Sequence, residues 1–133
     1  MQRPSPQKQF SSWKFWLLIC LWVTVASGFP LQAAETNVYA GGVGAQPAVF
    51  TLTWHDDGTI SGTYYCPGGS GKVYALRGSN PREGGIVLKE YTNGQATATC
   101  VLTKSLEKGK IVWRGVMCNH DGRNKGMFFY RGQ

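Results

Sequence analysis

The densest group of side chains that could do chemistry lies at residues 55–66, HDDGTISGTYYC. It holds a histidine, two carboxylates, hydroxyl groups and a cysteine within twelve residues. General acid–base and nucleophilic catalysis use such groups, provided that they converge at hydrogen-bonding distance. However, Asp56, Asp57 and Gly58 stand between two runs of alternating apolar and polar residues, and Asp and Gly favour tight turns. The stretch is therefore predicted to be the turn and outgoing strand of a β-hairpin.

A second candidate, residues 66–72 with the sequence CPGGSGK, approaches two motifs without matching either. A nucleophile elbow, G-x-S-x-G, needs a glycine where Lys72 stands and a helix after it. A phosphate-binding loop, G-x-x-x-x-G-K-S/T, needs a glycine in place of Cys66 and a hydroxyl residue in place of Val73. The segment is predicted to be a glycine-rich hairpin loop.

A metal site could be drawn from residues 118–121, CNHD, together with Cys66 or His55. Zinc takes four such ligands, normally with a closely spaced pair among them, and the chain has only two histidines. No spacing singles out a catalytic set around either histidine. We therefore predict no metal, no cofactor and no catalytic residue, and the protein is interpreted as a non-enzyme.

Residues 1–34 differ in kind from the rest of the chain. Three basic residues precede an apolar run at 15–26, and small residues follow it. This pattern is typical of a secretory signal peptide, and the run is shorter than the roughly 20 residues that span a bilayer. We expect cleavage after Ala33 or Ala34, a secreted or periplasmic location, no membrane association afterwards, and one domain over residues 35–133.

From Ala34 onward the chain carries eleven Lys and Arg against seven Asp and Glu, a net charge of +4. The basic residues are scattered rather than concentrated in one run, so they predict no nucleic-acid interface. The excess is compatible with an acidic macromolecular partner. No pattern specifies an oligomeric state.

Export would place Cys66, Cys100 and Cys118 in an oxidising compartment, where small domains gain stability from disulfides. Cys66 and Cys118 are each predicted to end a strand at the same rim, which favours a Cys66–Cys118 disulfide. Cys100 is predicted to lie mid-strand and to face inward, as Cys66 does, which keeps Cys66–Cys100 as the alternative. One thiol would remain free in either case.

Hydrophobic periodicity indicates an all-β fold, because short alternating runs are bounded by Gly, Asn, Asp or Pro every 8 to 14 residues. Eight strands are predicted, at residues 37–40, 48–54, 59–66, 72–77, 85–91, 95–103, 110–117 and 126–131. Each strand has one apolar face, which must be buried, and short sequential turns favour closure into an eight-stranded antiparallel meander barrel. A loose echo relates residues 58–78 to residues 109–132, with Gly62 and Gly115 at matching places.

Residues 57–64, DGTISGTY, resemble the D-G-x-I/L-x-G-x-Y pattern of small secreted up-and-down barrels of the avidin type, within the wider lipocalin-like group. The resemblance covers these eight residues and the meander plan, and it implies a barrel. Avidins line their biotin pocket with several tryptophans, whereas only Trp54 and Trp113 follow the leader here. The resemblance is therefore extended to the fold and not to the vitamin.

Two binding functions remain after these exclusions. The first is a binding protein that engages a macromolecule, such as a hydrolase that it inhibits, through rim loops at 67–71, 91–94 and 119–125. Its candidate residues are His120, Asp121, Arg123 and Lys125.

The second function is a small-molecule carrier with Trp54, Tyr64 and Trp113 lining the barrel. A cavity of roughly 300 Å³ or more would favour this carrier. A filled interior would instead be packed by these three residues with Phe50 and either Phe128 or Tyr130.

Overall fold

The computed structural model describes residues 34–132 and shows a closed barrel of eight antiparallel strands in sequential order. The strands are β1 (Glu35–Val43), β2 (Gln46–Trp54), β3 (Thr59–Tyr65), β4 (Val73–Arg82), β5 (Gly85–Thr92), β6 (Gln95–Glu107), β7 (Lys110–Asn119) and β8 (Asn124–Arg131). This confirms the predicted fold. The predicted leader falls on residues outside the described part. Within residues 34–132 no helix is long and apolar enough to cross a membrane.

The meander gives the barrel two distinct ends. The loop end carries the connections at 44–45, 66–72, 93–94 and 120–123. The terminal end carries the connections at 55–58, 83–84 and 108–109, together with the start of β1 and the end of β8. The connections at 66–72, 93–94 and 120–123 all lie at the loop end, so the rim loops cluster as predicted.

The interior is filled by one hydrophobic cluster to which every strand contributes. The alternation on β2 places Phe50 and Leu52 inside, fully buried, while Thr51 and Thr53 face outward. The largest fully buried side chains are Phe50, Phe129, Leu52, Ile60, Leu76, Ile86, Leu88, Leu102, Met117 and Met127. Burial of this apolar surface is the main stabilising contribution to the fold.

The inward face of β8 differs from the prediction. Met127 and Phe129 point into the barrel, whereas Phe128 and Tyr130 lie on the outside, stacked with ring centroids 6.5 Å apart. All four residues are apolar or aromatic, so the sequence pattern does not indicate which of them face the interior. The pairing of β8 with β7 and β1 determines which side chains point inward.

Two further apolar residues, Ile111 and Ala96, are exposed although the period-two alternation places each on the apolar face of its strand. Ile111, 51% exposed, lies where β7 begins at the terminal end. Ala96 immediately precedes a register irregularity, in which Glu90 pairs with Ala98 and Tyr91 pairs with Ala96. The extra residue, Thr97, shifts the alternation for the part of β6 that precedes it.

Glycines inside strands allow neighbouring strands to approach closely. A Cβ at Gly62 would collide with the Thr51 carbonyl on β2, and a Cβ at Gly115 would collide with the Val101 carbonyl on β6. The space left by each missing side chain is taken by backbone rather than by an aromatic ring. The echo seen in the sequence therefore has a structural counterpart, because both glycines play the same part in their strand pairs.

Candidate binding sites at the two barrel ends

The predicted binding residues do not form one site. His120, Asp121, Arg123 and Lys125 lie at the loop end. Trp54 and Trp113 lie at the terminal end, and Tyr64 lies inside the barrel near the loop end. The structure therefore divides the set into two candidate sites on opposite faces of the molecule.

The turn at 120–123 is held by hydrogen bonds between side chains and backbone groups of residues 119–123. Arg123 donates its backbone N–H to Asp121 Oδ1 at 3.0 Å, and the Asn119 side-chain amide donates to the Arg123 carbonyl at 3.0 Å. The guanidinium of Arg123 lies 3.9 Å from Asp121 Oδ2, and its side chain is 83% exposed. These hydrogen bonds order the turn, while the exposed Arg123 guanidinium stays available to a partner.

A cavity of about 450 Å³ opens at the loop end. Tyr64 and Tyr74 both line it, and their rings stack with centroids 4.9 Å apart. Lys125 lies on its rim, and the Nζ of Lys72 sits 5.4 Å from the centre of the Tyr74 ring. An aromatic floor with cationic groups beside it suits an anionic or polar group of a partner.

Beneath this cavity lies a buried carboxyl group that the sequence analysis did not single out. Glu90 is 4% exposed and accepts a hydrogen bond from the Tyr64 hydroxyl and another, 2.7 Å long, from Thr97 Oγ1. Burial, and then the hydrogen bond to Glu90, raise the pKa of Tyr64 far above its usual range. The sequence does indicate that Glu90 faces inward, because it follows Ile86 and Leu88 at the same two-residue period.

The terminal end holds a second cavity of about 460 Å³, which we call the aromatic cup. Trp54 and Trp113 lie together in it with ring centroids 5.6 Å apart, and the Trp54 indole N–H donates to the Tyr39 hydroxyl at 2.7 Å. Tyr39 in turn packs edge-on against Phe129 of the core at 5.1 Å. The cup is therefore built directly on the packed interior, which makes its aromatic floor rigid.

Charged side chains of both signs and two asparagines surround the aromatic cup. They are Glu35, Asn37, Asn80, Glu83, Lys104 and Arg131. Glu35 accepts a hydrogen bond from the Asn37 amide at 3.1 Å and lies 3.7 Å from the Arg131 guanidinium. Two carboxylates and two cations leave the rim close to neutral.

The predicted Cys66–Cys118 disulfide is not formed, and the three cysteines between residues 34 and 132 are free thiols. Cys66 follows β3 and Cys118 lies on β7, four strands apart in either direction around the barrel. A disulfide requires Cα atoms within about 7 Å. Sharing a rim therefore did not bring the two cysteines together. The alternative partner, Cys100, is fully buried on β6, and burial raises the pKa of its thiol to about 12.

The stretch at residues 55–66 is the predicted turn and strand. Asp57 Oδ1 accepts hydrogen bonds from the Thr59 hydroxyl at 2.6 Å and from the Thr59 backbone N–H at 2.9 Å, and these bonds lower the pKa of Asp57. His55 Nε2 lies 2.9 Å from Ser61 Oγ. Among the described residues, no three His, Cys, Asp or Glu side chains are grouped so that they could hold a metal ion.

The fold defines the class as a closed eight-stranded up-and-down β-barrel with a filled interior. Neither a scan against protein-family models nor a search of curated proteins finds a match for this chain. The avidin-type resemblance of residues 57–64 stays a prediction, and function has to be argued from the two barrel ends.

Proposed function

We propose that the protein is an exported, non-enzymatic binding protein that engages an acidic macromolecule through its loop end. The observation that carries this proposal is the charge distribution. Of the exposed acidic residues in the described part, Asp121 alone belongs to the loop end, where Lys72, Arg123 and Lys125 are all exposed. Complementary charge of this kind steers a partner and orients it on contact. His120 and Asp121 complete the surface.

The finer proposal is that the partner is a hydrolase whose active-site cleft is acidic. Most glycoside hydrolases cleave with a pair of carboxylates in such a cleft. Residues 67–72 are exposed throughout, and Lys72 stands at the end of this glycine-rich loop. A narrow loop with a terminal cation fits an acidic cleft, and its occupation would inhibit the enzyme without any chemistry by this protein.

Charge reversal with a matched control tests the surface. The rim variant combines Lys72→Glu, Arg123→Glu and Lys125→Glu, and the control variant combines Lys104→Glu, Lys108→Glu and Lys110→Glu at the terminal end. Both lower the net charge equally. With fluorescein-labelled poly-L-glutamate as probe, fluorescence anisotropy should show about a tenfold weaker affinity for the rim variant and a much smaller loss for the control. Equal losses would mean attraction by net charge alone and would contradict the proposal.

Inhibition assays test the finer proposal. We expect the wild-type protein to inhibit at least one glycoside hydrolase of the two-carboxylate type, and Lys72→Glu to remove that inhibition. Inhibition that survives both Lys72→Glu and the rim variant would place the inhibitory contact elsewhere.

A carrier that holds its ligand inside the barrel has less support. The core between the two end cavities is filled by fully buried side chains such as Phe50, Leu88 and Phe129. Trp54 and Tyr64, two of its predicted lining residues, lie towards opposite ends. Both cavities exceed 300 Å³, but they are open mouths rather than an interior chamber.

A further inference from the structure

The aromatic cup at the terminal end is separate from the surface proposed to bind a macromolecule. Its volume of about 460 Å³ falls within the roughly 300–1,000 Å³ of small-molecule sites. It lies on the opposite side of the packed core from Lys72, Arg123 and Lys125. A ligand here would be bound independently of the loop end.

The floor of the cup determines which part of a ligand it can contact. Tyr39 and Trp113 are 7% and 8% exposed, so Trp54, which is half-buried, offers most of the accessible aromatic surface. The indole N–H of Trp54 is already donated to the Tyr39 hydroxyl. A ligand therefore meets aromatic carbon, whose electron-rich face attracts the slightly positive hydrogens of C–H groups.

The rim determines the polarity and charge of the ligand. Glu35 and Glu83 would repel an anionic ligand, and Lys104 and Arg131 would repel a cationic one. A wholly apolar ligand would bury these groups without partners, which is costly. The rim instead offers both donors and acceptors, as a neutral ligand with several hydroxyl groups requires.

We propose that the aromatic cup binds a neutral saccharide, with the C–H face of a pyranose ring against Trp54 and its hydroxyl groups on the polar rim. A pyranose has an apolar ring face and a periphery of hydroxyl groups. The ring face matches the aromatic floor of the cup, and the hydroxyl groups match its polar rim. Trp113 and Tyr39 act as positioning residues that hold the Trp54 indole.

Isothermal titration calorimetry on the full chain tests the proposal, with cellobiose and N,N′-diacetylchitobiose as neutral probes and choline chloride as a cationic one. We expect saturable binding of at least one disaccharide and none of choline. Trp54→Ala should weaken the affinity about tenfold or more. Glu83→Ala, a change at an exposed turn residue that leaves the core intact, should weaken it severalfold.

The rim variant of the loop end serves as the control and should bind the disaccharide with unchanged affinity. This separates the two proposals, since either can fail while the other holds. Absence of binding by both disaccharides would overturn the inference. So would binding of choline alone, which would indicate an aromatic cage for a quaternary ammonium group, or disaccharide binding that survives both Trp54→Ala and Glu83→Ala.

Discussion

At the scale of single residues, the most consequential contact is between Tyr64 and Glu90. A carboxyl group inside an apolar barrel needs hydrogen-bond donors, because a buried polar group without a partner is costly. Tyr64 and Thr97 supply these donors from β3 and β6, on either side of the strand pair that carries Glu90. The network therefore ties three parts of the barrel wall together beneath the loop-end cavity.

Tyr64→Phe should lower the free energy of unfolding by about 1–3 kcal/mol at pH 7, since it leaves one Glu90 oxygen without its donor. Tyr74→Phe is the matched control, because the Tyr74 ring stacks on Tyr64 and its hydroxyl makes no hydrogen bond with other described residues. Urea denaturation followed by circular dichroism measures both. Equal stability losses in the two variants would show that the Glu90 contact contributes nothing.

The pH dependence of the same variant gives a second readout. The pKa of Tyr64 is raised in the folded state, so this phenol keeps its proton at pH values where the unfolded chain has lost it. Its contribution is complete below the ordinary tyrosine pKa of about 10 and declines as the pH rises above it. The wild-type protein should therefore lose more stability than Tyr64→Phe between pH 9 and pH 11.

Which residues could be foreseen depended on the period-two alternation. It placed Phe50, Tyr64 and Cys100 correctly on the inside. The same rule places Glu90 on the inward face with Ile86 and Leu88. A carboxylate is normally expected at the surface, however, so Glu90 was not predicted to be buried. The rim of the aromatic cup could not be foreseen, because residues as distant in sequence as Glu35, Asn80 and Lys104 meet only once the strand registers are fixed.

At the scale of the strands, the order of elements was predictable and the phase of an unbroken apolar strand was not. Residues 127–130, MFFY, give no polar marker, so their inward side chains follow from the hydrogen-bonded register with β7 and β1. Because Phe128 and Tyr130 face outward, their rings contact cationic side chains on the outside of the barrel. The guanidinium of Arg114 lies 4.9 Å from the centre of the Phe128 ring, and Lys110 Nζ lies 5.3 Å from that of Tyr130.

Strand glycines supply the prediction at this scale. Gly115→Ala should destabilise the protein by about 3 kcal/mol or more, because the added Cβ meets the Val101 backbone, which cannot move without breaking the β6–β7 pairing. Gly126→Ala on the adjacent β8 is the control, since a Cβ there meets nothing within 4 Å. It should change the stability by less than about 1 kcal/mol. Thermal unfolding of both variants measures the difference, and similar melting temperatures would refute the close-approach argument.

At the scale of the whole molecule, the barrel is closed by β8 returning to β1. Phe129 lies at this closure, with ring centroids 5.1 Å from both Tyr39 on β1 and Phe50 on β2. The sequential order of the strands already implies that Trp54, the last residue of β2, and the loop at 120–123 lie at opposite ends of the barrel. Trp54 and Tyr64 accordingly lie towards opposite ends and do not line one chamber, contrary to the prediction.

Phe129→Ala should therefore cost about 3–5 kcal/mol of stability, as a cavity at the centre of the core. Phe128→Ala, its neighbour on the outside of β8, should cost only about 1 kcal/mol, from lost contact with Arg114. Equilibrium unfolding in urea distinguishes the two. A larger loss for Phe128→Ala would mean that β8 is packed in the opposite phase.

The described strands begin and end on the same side of the molecule, where Arg131 lies 3.7 Å from Glu35. A fusion partner or affinity tag attached directly after β8 would therefore sit beside the tryptophan-lined mouth and leave the far face unobstructed. Protein tethered to a sensor chip directly after β8 would present residues 66–72 and 120–123 to the analyte. The same tether would hinder access of a saccharide to the aromatic cup, so tests of the two proposed ligands call for attachment at different points.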